Sequence, residues 1–304
     1  MDGLTLKERY ADDFAATIKN ATAAAVIDET NVYQEYNPFA RKVMDRIVRE
    51  NLLPGSRLEG KEHFQDFYRQ IQGGKRGVIF CEHYSNLDLP IIMYLLEHDG
   101  GDFGAALAQR AVSIAGMKLN EDDPGVRSFA EGYTRIIIYP SRSLAGITDE
   151  AAREREGQRS RKINMAAMRA LYEARRDRRP VVVFPSGTRY RPGRSETKRG
   201  LREIDSYLRI FDIMLLVTLN GQCLRFNPAD PDNMVMDLMF ADRMIVAASP
   251  VMGCRQFRDG VLSELGDNPE VDVKQAVVDR LMELLERRHG DYEKVWLAEK
   301  GSIG

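Results

Sequence analysis

The sequence has few cysteines, few histidines and no long apolar run, and each scarcity excludes a class of protein. Its three cysteines, Cys81, Cys223 and Cys254, are far apart and form no Cys-x-x-Cys pair, so neither a disulfide framework nor a zinc site is predicted. The most apolar segment, residues 210–219, contains Asp212 and is well short of the roughly 20 residues that a spanning helix needs. Any membrane contact is therefore expected to be peripheral.

Catalytic and targeting signals of several common kinds are also missing. No Gly-x-Ser-x-Gly motif occurs, which argues against the nucleophile turn of serine hydrolases. His63, His98 and His289 fall in separate helical contexts, so we predict surface positions for them and no metal site. The first ten residues carry early acidic side chains and no apolar core, so no signal peptide is predicted. The expected location is the cytoplasm, with peripheral contact at the inner face of the membrane.

Charge of one sign is not in excess overall, but positive charge is concentrated locally. The formal net charge is −2, which does not predict nucleic-acid binding. Residues 153–179 nevertheless contain ten Lys or Arg and four Asp or Glu, and residues 185–202 contain six and one. Aromatic residues do not alternate with these arginines as base-stacking platforms would require. The basic segments therefore indicate either a solvated helix face or a surface for an acidic partner.

Short apolar runs alternate with longer amphipathic segments, which predicts an α/β fold with a mixed, mostly parallel sheet flanked by helices. At 304 residues, the chain is expected to form a small N-terminal helical domain, residues 1–74, and an α/β domain, residues 75–304. The predicted helices are Leu4–Ile27, Pro38–Leu52, Lys61–Ile71, Leu89–His98, Asp123–Gly132, Thr148–Arg176 and Val271–Glu299. The predicted strands are Val78–Cys81, Phe103–Ala108, Arg135–Tyr139, Pro180–Phe184, Ile213–Leu219, Met234–Phe240 and Met244–Ala248, the last two as an antiparallel pair.

His83 and Asp88 follow a short apolar run and stand five residues apart. The run is typical of a buried strand, and the segment after Asp88 predicts a helix with Asp88 as its cap and Pro90 in its first turn. A turn between strand and helix would let both side chains face the crevice where open α/β sheets bind ligands. An imidazole oriented by a carboxylate can take a proton from a hydroxyl near neutral pH. A satisfied strand-end histidine beside a helix cap remains the alternative.

Arginines also follow the ends of two other predicted strands. The run Pro180–Phe184 leads into a loop with Arg189 and Arg191, and the run ending at Tyr139 leads to Arg142. Guanidinium groups on a tight loop suit a phosphate because their planar fork donates two parallel hydrogen bonds. A solvated arginine-rich turn is the alternative. Parallel strands would bring these arginines and the histidine to one edge of the sheet.

These residues resemble a known family, the glycerolipid acyltransferases. The segment from His83 to Asp88 is similar to the family's His-x4-Asp motif, and Phe184-Pro-Ser-Gly-Thr-Arg189 resembles its phosphate-binding block. Glu82 stands where the family usually has Asn. The resemblance covers about residues 60–220 and looks closest to the soluble, plastid-type glycerol-3-phosphate acyltransferases.

The resemblance implies a role for each matched residue. His83 would be the general base and Asp88 its orienting carboxylate. The expected phosphate ligands are Arg142, Arg189 and Arg191, and the expected oxyanion donors are backbone amides of Ser186, Gly187 and Thr188. No metal and no cofactor would be needed.

The implied reaction transfers a fatty acyl group from an acyl carrier protein or coenzyme A thioester to glycerol 3-phosphate, giving lysophosphatidate for phospholipid biosynthesis. A lysophosphatidate acyltransferase, which shares both motifs, is the first alternative. A non-catalytic module that binds acyl carrier protein or an anionic membrane surface is the second.

Overall fold

The computed structural model describes residues 3–121, 123–230, 233–266 and 271–301. Its α-helices are α1 (Leu6–Arg9), α2 (Ala11–Lys19), α3 (Pro38–Asn51), α4 (Lys61–Gln72), α5 (Asp88–Asp99), α6 (Gly101–Arg110), α7 (Lys118–Glu121), α8 (Pro124–Ala130), α9 (Ser141–Ala145), α10 (Glu150–Arg176), α11 (Ile204–Ile210), α12 (Cys254–Leu265) and α13 (Val273–Gly301). Single 3₁₀ turns lie at Ser195–Lys198 and Met234–Met236. Across the described ranges, no helix combines the length and apolarity needed to span a membrane.

The strands are β1 (Tyr33–Gln34), β2 (Arg57–Glu59), β3 (Gly77–Cys81), β4 (Val112–Gly116), β5 (Arg135–Ile138), β6 (Val181–Val183), β7 (Ile213–Asn220), β8 (Leu224–Arg225), β9 (Leu238–Met239), β10 (Ile245–Ala248) and β11 (Met252–Gly253). Nine of them form one sheet in the order β1-β5-β4-β6-β3-β7-β10-β2, with β11 also paired to β7. The central strands β5, β4, β6, β3 and β7 are parallel. The predicted mixed, mostly parallel α/β fold is confirmed.

Helices cover both faces of the sheet, and each face has its own apolar core. The first core includes Ile47 of α3 and Ile91 of α5 against Ile79 and other inward residues of the sheet. The second core includes Leu171 of α10 and Leu281 of α13. Because both faces are buried, β3 and β6 are continuous apolar runs, as parallel strands usually are.

The first 74 residues form a largely helical region that also adds two strands to the sheet. β1 pairs antiparallel with β5, and β2 pairs parallel with β10. Within this region α3 begins at Pro38, and the side chain of Asn37 accepts hydrogen bonds from the N–H groups of Phe39 and Ala40. This arrangement satisfies backbone donors that a helix start leaves unpaired. The proposed division at residue 74 stays a prediction, and residues 1 and 2 lie outside the described part.

Three sequence-based assignments were wrong. Residues 103–108 are helical in α6, and the strand lies just after them in β4. A short apolar run does not distinguish a strand from a buried helix segment, and the small residues here let α6 pack closely on α5. The segment 4–27 is two helices ending at Lys19 rather than one. The two late strands do not pair with each other, because β9 pairs with β8 and β10 pairs with β7.

Candidate active site

His83 and Asp88 meet beyond the carboxyl end of β3. His83 Nδ1 lies 3.0 Å from Asp88 Oδ2. Asp88 opens α5 but is not its cap, which corrects the sequence-based assignment: Leu87 is the N-cap residue and makes no side-chain cap bond. Asp88 Oδ2 instead accepts the backbone N–H groups of Tyr84 at 2.6 Å and Ser85 at 2.8 Å. The buried carboxylate therefore fixes both the turn and the imidazole.

The second motif lies directly against His83. The ring of Phe184 stacks on the imidazole with 4.3 Å between ring centroids. The N–H of Tyr190 donates to the carbonyl oxygen of His83 at 2.7 Å. The structure thus brings together the two segments that the sequence pattern singled out, and the His83 side chain remains one-fifth exposed.

The loop from Ser186 to Thr188 has a tight geometry. Gly187 has a φ of +62°, and a Cβ atom at this position would lie 2.4 Å from a methyl group of Leu201. Its N–H donates to the carbonyl of Phe184 at 2.9 Å, while the Ser186 hydroxyl donates to the carbonyl of Thr188 at 2.7 Å. The N–H groups of Ser186 and Thr188 donate to no protein acceptor among the described residues. These two amides, unlike that of Gly187, are therefore free to donate a hydrogen bond to a ligand.

The three predicted phosphate ligands have different surroundings. Arg189 is buried and forms an ion pair with Asp237, and its Nη2 has no partner in the described ranges. Burial raises the pKa of Asp237, although the charges of Arg189 and Arg191 oppose this. Arg142 is exposed on α9, just past the end of β5. The structure thus places both loop arginines near one carboxylate and leaves Arg142 in solvent.

A large apolar cavity opens at His83. Its volume is about 490 Å³, within the range of small-molecule sites. β4 and β6 pair only through Val112 and Ser113, and beyond these residues Ile114 and Val183 line the cavity between the two strands. Its walls come from both cores of the protein, so the cavity reaches both faces of the sheet.

His83 also borders a second, water-sized cavity of about 20 Å³, which polar and apolar side chains line together. Lys198 lines this cavity together with Ser186 and Tyr190, and its ammonium group forms an ion pair with Glu286. Sequence reasoning missed Lys198, which lies in the basic segment 185–202. Its position on a 3₁₀ turn after the loop gave no periodic signal.

Glu82, which lines this small cavity and is buried, forms a pair with the partly buried His289 that the sequence did not predict. Glu82 Oε2 is 2.9 Å from His289 Nδ1 and also accepts the N–H of Leu219 at 3.1 Å. The side chain of His289 is 22% exposed, so the residue is partly buried rather than fully at the surface as expected. Burial raises the pKa of Glu82. Burial alone would lower the pKa of His289, but the hydrogen bond to Glu82 outweighs it and the pKa is raised. Because the pKa values of Glu82 and His289 are both raised, the pair favours a state in which one proton is held between the two side chains.

The cysteine nearest the site is a packing residue. Cys81 is fully buried on β3, and burial raises the pKa of its thiol well above the usual value. A thiol in such surroundings is a poor nucleophile because the thiolate is the reactive form.

Fold and site together define an α/β protein with a histidine–aspartate pair at the carboxyl edge of its sheet, beside a large apolar cavity and a small cavity bordered by Lys198. A family model described as Acyltransferase matches residues 56–214, just over half of the chain and a range that includes all the site residues predicted above. The chain belongs to this family, the glycerolipid acyltransferases. No curated protein matches the chain.

Proposed function

We propose that this protein is a glycerol-3-phosphate 1-O-acyltransferase that takes its acyl group from an acyl carrier protein or coenzyme A thioester. The observation that carries the proposal is the position of the His83–Asp88 pair, which borders both a large apolar cavity and a small cavity where the cationic Lys198 lies. An acyltransferase needs this combination, because its two substrates differ in polarity and meet at one base.

The proposed mechanism uses His83 as a general base. With Nδ1 bound to Asp88, the second ring nitrogen takes the proton from the sn-1 hydroxyl of glycerol 3-phosphate. The oxygen attacks the thioester carbonyl, and the N–H groups of Ser186 and Thr188 are the proposed donors to the oxyanion. Collapse of the tetrahedral intermediate expels the thiolate, which recovers the proton from the imidazolium.

The acyl chain is proposed to occupy the large cavity. Ala167 and Met168 of α10 line it, and the same helix carries exposed arginines of the basic segment 153–179. Charge complementarity therefore supports a negatively charged donor, either the acidic carrier protein or the phosphates of coenzyme A. Added salt is expected to raise the KM for the donor without changing kcat in proportion.

The small size of the second cavity and the polar groups that border it favour glycerol 3-phosphate over lysophosphatidate as the acceptor. A lysophosphatidate would bring a second acyl chain to this side of His83, where Lys198, Tyr190 and Ser186 provide polar groups. The cavity holds only a water-sized space, so a phosphate enters after Lys198 has separated from Glu286. The unpaired Nη2 of Arg189 is a second proposed phosphate donor.

The test follows thiol release from an acyl-carrier-protein or coenzyme A thioester with either acceptor. We expect release with glycerol 3-phosphate, and a fall of about 10²- to 10⁴-fold in kcat for His83→Ala, the usual contribution of a general base. His98→Ala is the matched control, because His98 is exposed on α5 and bonds only to the Tyr94 carbonyl in the described structure.

Other outcomes would contradict the proposal in different ways. Release with lysophosphatidate alone would keep the mechanism and change the acceptor. Binding of the thioester without release to either acceptor would replace the enzyme by a binding module. Equal losses of kcat in His83→Ala and His98→Ala would show that His83 is not the general base.

A further inference from the structure

An arginine lies on the wall of the large cavity, deep below His83. Parallel registers place Arg135 of β5 beside Ser113, Ser113 beside Val182, and Val182 beside Ile79 of β3. In-register side chains of a sheet share one face, and His83 lies two residues beyond the end of β3, four residues after Ile79. Spacings of about 4.8 Å between strands and about 3.3 Å between residues put the two Cα atoms on the order of 19 Å apart.

The guanidinium of Arg135 is buried but only partly bonded. The residue is 2% exposed, and its Nη2 donates to Gln34 Oε1 at 2.6 Å. Nε and Nη1 have no partner among the residues that the structure describes. Burial lowers the pKa of Arg135 to about 10, so the group is still charged at neutral pH. The charge of Glu131 opposes the effect of burial on Arg135, but the two groups form no ion pair in the described chain.

A second unpaired donor lies close by on the same wall. Tyr133 precedes Arg135 by two residues and lines the same cavity. Its hydroxyl is buried and has no hydrogen-bond partner within the described ranges, while Arg41 packs over its ring at 4.9 Å from the centroid. The neighbouring walls are apolar, with Met44, Ile47 and Phe129.

Buried polar groups in proteins nearly always have hydrogen-bond partners, and buried charges are usually paired. Arg135 and Tyr133 line an apolar cavity and carry three buried donor atoms without a protein partner among the described residues, so this wall of the cavity is short of an acceptor. A straight alkyl chain would leave these donors desolvated and unsatisfied. A chain carrying an oxygen at this depth would satisfy them.

We propose that the cavity is specific for an acyl chain with an oxygen acceptor in its distal part, a carboxylate, keto or hydroxyl group, and that Arg135 and Tyr133 bind that oxygen. The inference rests on the proposed function in assigning the acyl chain to this cavity. Arg135 is then a specificity-determining residue far from the reacting atoms.

The test measures binding without turnover. Fatty acids with an ω-carboxyl or ω-hydroxyl group, and the unsubstituted acids of equal length, compete with a fluorescent fatty acid for the purified protein over a series of chain lengths. At the length that reaches Arg135, we expect at least one ω-oxygenated acid to bind about tenfold or more tightly than its unsubstituted counterpart. In Arg135→Met this preference should disappear or invert.

Two further variants keep the test decisive if Arg135→Met does not fold. Tyr133→Phe removes only a hydroxyl without a protein partner, so the fold should survive and the preference should fall severalfold. Arg175→Met is the matched control for loss of a buried guanidinium, because Arg175 is buried with an unpaired Nε but does not line the cavity. It should lower stability and leave the preference unchanged.

Tighter binding of the unsubstituted acid at every length in the wild-type protein would overturn the inference. The inference would also be overturned if wild type, Arg135→Met and Tyr133→Phe all had the same preference for the ω-oxygenated acid. The proposed function fails separately: if transfer to either acceptor is absent but the ω-oxygen preference is present, only the reaction is wrong. Active transfer without the preference removes only the role of Arg135.

Discussion

At the scale of single residues, the carboxylate of Asp88 performs several tasks at once. One oxygen accepts from His83 and from the N–H groups of Tyr84 and Ser85, and the other accepts from the Ser85 hydroxyl. The same buried group therefore shapes the turn and orients the imidazole. Substitutions can separate these tasks.

Asp88→Asn is expected to remove the charge but keep the geometry. The two backbone N–H groups hold an acceptor at the Oδ2 position, so the amide oxygen should remain there. Without the charge, the imidazolium formed during catalysis is less stable, and kcat should fall by about 10²-fold or more. Thermal unfolding should show that Asp88→Asn is more stable than Asp88→Ala, which strands those N–H groups at about 1–3 kcal/mol each. Equal stability of the two variants would contradict this.

Arg189 is expected to have a structural role in addition to any contact with phosphate. Arg189→Met leaves Asp237 buried and unpaired, which typically costs about 3–5 kcal/mol. Adding Asp237→Leu removes the uncompensated charge and should recover most of this loss in urea unfolding. If Arg189 also binds the acceptor, the double variant will be stable but have a raised KM for glycerol 3-phosphate. An unchanged KM would restrict Arg189 to the fold.

The sequence predicted a contact between two site residues correctly where both residues lie in one short segment. His83 and Asp88 are five residues apart, so a strand, a turn and a helix start were enough to predict that they meet. Asp237 and His289 could not be predicted as partners, because they lie 48 and 207 residues from the groups that they bind. Only the folded chain brings such residues together.

At the scale of elements, α5 and α6 pack closely because only small residues lie between their backbones. A Cβ atom on Gly104 would lie 2.1 Å from the carbonyl oxygen of Leu96, which is a backbone atom and cannot move aside. Gly104→Ala should therefore destabilise the protein by about 1–3 kcal/mol, as overpacking usually does.

A glycine in an open position provides the control for this prediction. Gly157 lies inside α10, and a Cβ atom there would have no neighbour within 4 Å. Gly157→Ala should stabilise the protein by about 0.5–1 kcal/mol through helix propensity. Urea unfolding of both variants measures the two effects. Stabilisation by both would show that the helices can separate without cost.

Periodicity explains why some elements were predicted and others were not. The buried stripe of α10, including Ile163, Ala167 and Leu171, was readable because 27 residues repeat the helical spacing many times. The segment 103–108 has only six residues and no polar side chain, so it shows no helical periodicity. Gly104 has a low helix propensity, and this helix depends on packing against α5.

At the scale of the whole molecule, α13 links distant parts of the chain. His289 bonds to Glu82 at the active-site strand, and Trp296 donates to the carbonyl of Arg243 at 2.7 Å. Glu299 forms ion pairs with Arg57 and Arg243. The helix thus connects the active-site region after β3 with the edge of the sheet at β2.

Stability should depend on pH through His289. Its pKa in the folded protein is raised above the ordinary value of 6.5. Its contribution is therefore complete below about pH 6.5 and is lost as the pH rises through the higher folded value. The charged and titratable groups facing it are Glu82, Glu293, Lys198 and Tyr84. The difference in unfolding free energy between wild type and His289→Gln should shrink above pH 6.5 and stay constant below it until Glu82 becomes protonated. A difference that grows with pH would reverse the assignment.

The distance along the chain between Glu82 and His289 has a consequence for biosynthesis. The two residues are 207 positions apart, so at about 5–20 residues per second the ribosome reaches His289 some 10–40 s after Glu82. During that interval the nascent site has its motif but lacks the histidine that shares a proton with the buried carboxylate. Chains stalled before the last helix should therefore be unable to complete the site, and activity should first appear when residue 289 has left the exit tunnel.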